Sequence, residues 1–120
     1  MNKCQIIEEL AKDKVVEELV QHSAHQPMSA DLYDLSQMVY LILLEYDDDK
    51  IIDLYENKQI RYFIVRIILN QFLSNNSPFH YIYRKFRQQI DETIEVMRNV
   101  DRWEMEKLST YRILQDAKGE

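Results

Sequence analysis

A chain of 120 residues with one glycine, Gly119, and two prolines, Pro27 and Pro78, has almost none of the residues that tight turns need, which excludes a fold of short strands and hairpins. A single cysteine, Cys4, excludes an internal disulfide, and the absence of glycine before position 119 excludes a glycine-rich phosphate loop. The net charge of −6 excludes attraction of a polyanion by bulk charge, so any contact with nucleic acid has to come from a local surface.

Residues 3–22 read as an amphipathic helix, with Ile6, Ile7, Leu10, Ala11, Val15, Leu19 and Val20 at spacings of three and four. His22 to Met28 contains Pro27 and reads as a loop. Ser29 then has the character of an N-cap, with Asp31 near the positive end of a helix that runs to Tyr46. Leu32, Leu35, Val39, Ile42 and Leu43 form its core face, and Met38, Tyr40, Leu41 and Leu44 widen that face, so the helix is expected to be central. Asp47, Asp48 and Asp49 end it, and a short helix over 50–57 follows.

Residues 59–74 are the most apolar stretch. Their β-branched content would suit a strand, but the stretch is too long for one and has no partner strand, so it reads as a buried helix. Tyr62, Arg66 and Asn70 step by four and share one polar stripe on that cylinder. Ser74 to Ser77 is a loop, Ser77 and Pro78 open the next helix, and Phe79, Tyr83, Phe86, Ile90, Ile94 and Met97 mark its buried seam. A last helix is expected over 101–115. The expected architecture is all-α: one domain over 1–120, a single compact bundle of about five to six helices.

No run reaches the ~18 apolar residues of a membrane span, and Lys3, Glu8 and Glu9 interrupt any leader-like pattern, so a cytoplasmic protein without membrane contact is expected. His22 and His25 lack a second ligand pair, so no metal site is expected. Asp47–Asp49 lacks the spaced oxygens and glycine of a calcium loop. No catalytic constellation or cofactor motif stands out, and a non-enzymatic protein is expected.

Charge is distributed unevenly. Residues 1–57 hold 13 acidic and 4 basic side chains, residues 58–90 hold 6 basic and no acidic ones, and residues 91–120 hold 8 acidic and 5 basic ones. The central window interleaves Lys58, Arg61, Arg66, Arg84, Lys85 and Arg87 with aromatic residues, the composition that holds single-stranded nucleic acid through phosphates and stacked bases. Most of its aromatics are core by periodicity, leaving Tyr81 and Tyr62 for a ligand. Asn75 and Asn76, in the loop, can hydrogen-bond a base edge.

The segments DLSQMVYLILLE (34–45), RYFIVRIILNQ (61–71) and YRKFR (83–87), in that order and with a short helix between the first two, resemble the second conserved region of bacterial RNA polymerase sigma factors over residues 30–88. Asp34, Leu35 and Gln37 match an Asp-Leu-x-Gln motif. Phe63, Ile64, Arg66 and Asn70 match an aromatic-aliphatic helix ending in Arg-x-x-x-Asn, and Arg84, Lys85 and Arg87 match a basic stretch. The sequence departs from the family at Met38, where an acidic residue is usual.

The resemblance implies a region-two-like fold in which Asp34, Leu35, Gln37 and Leu41 face the clamp of the RNA polymerase core. It implies that Arg61, Tyr62, Arg66, Asn70, Asn75, Asn76, Tyr81, Arg84, Lys85 and Arg87 face the melted, single-stranded minus-ten promoter element. The roughly 30 residues after Gln88 are too few for the helix-turn-helix that reads the minus-thirty-five element, so the expected activity is that of a small phage or mobile-element sigma-like protein without that domain. The alternative is a helical interaction or structural protein of such an element, possibly an oligomer.

Overall fold

The computed structural model describes residues 1–101, and side chains up to Asn99. Seven helices are seen among these residues: α1 (Lys3–Lys12), α2 (Val15–Ala24), α3 (Ala30–Glu45), α4 (Asp48–Glu56), α5 (Ile60–Leu73), α6 (His80–Lys85) and α7 (Arg87–Asp101). The described residues contain no strand. The helix expected over 101–115 falls, beyond Asp101, outside the described residues.

The single helix expected over 3–22 is two. Its apolar positions step from Leu10 to Val15, a spacing of five, and Ala11 disguises that slip in phase. Ala11 is in fact exposed. The chain absorbs the slip at Lys14, which takes a left-handed conformation (φ 53°, ψ 38°) between the two helices. The turn leaves α1 free to pack on α3 and α4, while α2 becomes the hub and touches α1, α3, α5 and α7. Val16, Leu19, Val20, Ser23 and Ala24 of α2 are buried throughout.

The helix boundaries are set by local chemistry. Asn2 and Gln5 form a reciprocal capping box at the start of α1. Ser29 accepts from the Leu32 amide at 3.2 Å, as its residue type predicts. Asp47 accepts from the Lys50 amide at 3.1 Å, so the aspartate run opens α4 at Asp48, earlier than the expected Lys50. At the junction of α3 and α4, the Lys3 ammonium donates to the carbonyls of Leu44 and Tyr46 and meets the Asp48 carboxylate at 2.7 Å. This places a cation on the orphan carbonyls of a helix C-terminus, where it is stabilising.

Helix α3 is less central than its composition suggests. Leu32, Leu35, Val39 and Leu43 are buried, together with Ser36, whose hydroxyl donates to the Leu32 carbonyl at 2.9 Å. Met38, Leu41 and Leu44, expected to widen the core face, lie on the exposed side. The long helix expected from Pro78 onward bends at Phe86 (φ −119°, ψ 38°), which separates α6 from α7. Ile82 and Thr93 join the core there, whereas Tyr83, Phe86 and Ile94 of the expected seam are half-buried.

Two further ties fix the face of α7. Thr93 donates its hydroxyl to the Ser23 carbonyl at 3.1 Å, and His25 Nε2 lies 3.1 Å from the same hydroxyl oxygen. His22 instead lies 3.7 Å from Glu18, so the two histidines address different neighbours. None of the helices described is long and apolar enough to cross a membrane.

Candidate nucleic-acid interface

Helices α4 and α5 pack against each other and are joined by a short connection in which Lys58 takes a left-handed conformation (φ 60°). Tyr55 and Leu54 carbonyls accept the amides of Lys58 and Gln59 and hold the turn closed. Ile60, Ile64, Val65, Ile67, Ile68, Leu69 and Phe72 bury most of α5. What remains outward is the stripe read from the sequence, with Tyr62 half-buried and Arg66 and Asn70 exposed.

That stripe is one wall of a groove of about 470 Å³, within the range of about 300–1,000 Å³ usual for small-ligand sites. Tyr62, Phe63, Arg66, Ile67 and Asn70 line it from α5, Lys50 and Leu54 from α4, and Gln59 from the connection. None of these lining residues is Asp or Glu. Arg66 Nη1 donates to the Tyr62 hydroxyl at 3.1 Å, and its guanidinium lies 5.8 Å from the centre of the same ring. The pair is a preformed aromatic and cationic surface. Phe63 is set by edge-on packing against Tyr46, with ring centres 5.0 Å apart. The groove therefore offers cations for phosphate, ring surface for a base, and two carboxamides for a base edge.

None of the other cations of residues 58–90 lines this groove, and Lys85 and Arg87 line two other depressions. Lys85 and Tyr81 line a second, smaller groove with Ser29 and Asp31 at the start of α3. Burial and a hydrogen bond to the Asp31 carboxylate push the Tyr81 hydroxyl up to about 12. Arg87 meets Asp91 at 3.9 Å and lies in a shallow depression with Glu92 and Glu95. Tyr83 donates to the same Asp91 at 2.8 Å, which raises its pKa. Arg84 is exposed on α6, and Arg61 is half-buried at the first turn of α5 outside the groove lining.

Asn75 and Asn76 are exposed in the turn after α5, as expected of a loop. The loop is held by Ser77, whose hydroxyl donates to Gln71 at 2.8 Å and accepts from the Phe79 amide at 3.1 Å. His80 Nδ1 lies 2.7 Å from the Phe72 carbonyl and docks α6 on the end of α5.

Of the residues expected to face a polymerase, Asp34, Gln37 and Leu41 share the exposed side of α3, with Leu41 half exposed. Leu35 is 0% exposed, which corrects its expected role: it packs inside and holds α3 in place.

Sequence reasoning missed Lys50, Gln59 and Phe63 as groove residues. Periodicity places most aromatics of the basic window in the core, which hides Phe63, and Lys50 lies outside that window of residues 58–90. A usable signal was present, since Lys50 is the only Lys or Arg between Lys14 and Lys58.

The described residues form an all-helical protein with a groove between α4 and α5 that Lys50, Arg66, Gln59 and Asn70 line together with aromatic and aliphatic side chains. The chain matches no family model, no curated protein and no solved structure.

Proposed function

We propose that the protein is a non-enzymatic, sigma-factor-like binding module that holds single-stranded promoter DNA in the α4–α5 groove and offers the outward side of α3 to RNA polymerase. The observation that carries the reading is the lining of the groove: Lys50, Arg66, Tyr62, Phe63, Gln59 and Asn70 line one groove, and none of the described residues that line it is Asp or Glu. A polyanion is repelled by most of this acidic surface and attracted here. Asp34, Gln37 and Leu41 of the sigma-like motif stand exposed on a different helix, so a polymerase contact and a DNA contact do not compete for the same residues.

The test has two parts. A labelled single strand carrying a minus-ten-like sequence should bind more tightly than the same sequence as duplex, and binding should weaken steeply with salt. RNA polymerase core should be retained by the immobilised protein, and Leu41→Asp should abolish that retention. Binding of neither partner overturns the proposal.

A second reading is favoured by one observation: Tyr33, Met38, Leu41 and Leu44 expose a run of large apolar side chains on α3. Such a run on a soluble-type surface marks a protein contact, and a helical interaction protein without nucleic-acid binding would use it. Retention of a protein partner with no affinity for DNA selects this reading.

A further inference from the structure

We infer that the outward face of α3 is the docking site for a basic amphipathic helix of a partner protein, one that carries two cations about three turns apart to meet Asp34 and Glu45. The inference rests on the reading of α3 as the protein-binding face, adds the chemistry of the partner, and does not involve the α4–α5 groove.

The face follows from the helical period. At about 100° per residue, Tyr33, Met38, Leu41 and Leu44 fall within an arc of roughly 140°, opposite the buried side of the helix. Tyr33, Leu41 and Leu44 each leave about half of their surface to solvent. Together the four form a stripe about 16 Å long, which marks a contact surface in a way that scattered single exposures do not. Asp34, Gln37, Leu41 and Leu44 step by three, four and three, the spacing of a seam along which a second helix packs.

The charges within that arc state what the second helix must carry. Asp34 and Glu45 lie in the same arc, one near each end of the stripe, and both are exposed. A partner that covers the apolar side chains therefore covers both carboxylates, which is costly unless a cation meets each of them. The protein does not supply those cations. Helix α3 has no Lys, Arg or His, and residues 15–49 contain no Lys or Arg. Lys3, at the C-terminal end of α3, is taken up by the Leu44 and Tyr46 carbonyls and by Asp48. Among the described residues, no ion pair engages Asp34 or Glu45.

The same acids decide against other occupants. A second copy packed antiparallel about a two-fold axis near Val39 sets Tyr33 on Leu44 and Gln37 on Leu41, but it also sets Asp34 of each copy beside Glu45 of the other. A parallel pair sets each acid beside its own copy. Like charges so placed oppose the contact. An anionic lipid surface or a nucleic-acid strand is repelled by the same two carboxylates.

The test uses the full chain and three fluorescein-labelled, stapled helical peptides, read by anisotropy at low salt. The first has a leucine seam and Lys at two positions with the separation of Asp34 and Glu45. The second has Glu at those two positions, and the third keeps both Lys but has serine in place of the leucine seam. The first should bind at least about tenfold more tightly than either of the others. Leu41→Asp should weaken that binding by at least about tenfold. Asp34→Lys combined with Glu45→Lys should reverse the order of the first two peptides. The parent protein should be a monomer by light scattering.

Equal binding of the Lys and Glu peptides overturns the cationic partner. Equal binding of the serine peptide overturns the apolar face as the site, since bulk charge then explains the contact. An unchanged order in the doubly substituted protein places the peptide elsewhere and overturns the assignment, as does a dimer that Leu41→Asp dissociates. Retention of RNA polymerase core by a protein that binds none of the peptides overturns the inference and leaves the polymerase reading standing. Binding of the Lys peptide without retention of polymerase overturns the polymerase as partner and leaves the docking site standing.

Discussion

Two grooves of this protein each carry a tyrosine followed four residues later by a cation. Tyr62 and Arg66 lie one helical turn apart on α5, and Tyr81 and Lys85 lie one turn apart on α6. In the first, the tyrosine hydroxyl accepts from the arginine, and the opposite wall supplies Lys50. In the second, the opposite wall is the first turn of α3, whose Asp31 takes the Tyr81 hydroxyl and lies in the same groove as Lys85. On the proposed reading, what separates the two pairs is the facing wall: Asp31 lines the second groove, whereas none of the described residues that line the first is Asp or Glu. The charge of the facing wall is a tertiary property.

The largest effect expected concerns the helix that supplies the acids of the second groove. Leu35→Ala should cost about 2–5 kcal/mol of stability, as for other buried leucines, measured by urea denaturation. Leu41→Ala, on the opposite side of α3, should change stability by less than about 0.5 kcal/mol. Equal losses at the two positions would contradict the inside and outside assigned to α3, and with them the position of Asp31.

Next comes the contrast between the grooves. Arg66→Glu should weaken single-strand binding at low salt by at least about tenfold, since it both removes a phosphate contact and introduces repulsion. Lys85→Glu, in a groove already holding Asp31, should weaken it by less than about twofold. Reversal of that order in an anisotropy titration would mean that the ligand lies on α6.

A smaller effect sharpens the dependence of the first groove on its α4 wall. Lys3→Met removes the cation that joins α1 to the carbonyls of Leu44 and Tyr46 and to Asp48, the residue that begins α4. The expected loss is about 1–3 kcal/mol, the usual range for hydrogen bonds to a charged group. Hydrogen exchange should report the opening first in α4.

The smallest effect lies in the second groove and is spectroscopic. Partial desolvation and the Asp31 carboxylate push the Tyr81 hydroxyl up to about 12, although the side chain is 40% exposed. Its folded value lies above the ordinary 10. The stabilisation it contributes is therefore whole below pH ~10 and is lost as pH rises through about 12. Asp31→Asn should move the titration, followed by phenolate absorbance, toward 10 without reaching it, because burial is the larger cause. No movement would separate Tyr81 from Asp31 and weaken the account of why this groove differs from the other.

Much of the fold was legible in the residues. The all-helical class followed from the scarcity of glycine and proline, and the starts of α3 and α5 from Ser29 and from the apolar run over 60–73. The breaks at Lys14 and Phe86 were not legible, because both continue a plausible apolar period. At Lys14 an exposed alanine filled the gap, and at Phe86 the seam remains in phase while the backbone bends. In the site, the stripe of Tyr62, Arg66 and Asn70 was visible because its members share one helix. Lys50 was not, because its relation to Arg66 depends on how two helices fold about Lys58.

By itself the sequence determined the helical class, the Ser29 cap and the polar stripe on α5, since these depend on neighbours within a turn or two. The tertiary structure alone decided which side chains share a groove with each cation. Arg66 lines one groove with Lys50, Lys85 and Tyr81 line another with Asp31, and Arg87 meets Asp91, because Coulomb interactions follow distance in space and not along the chain.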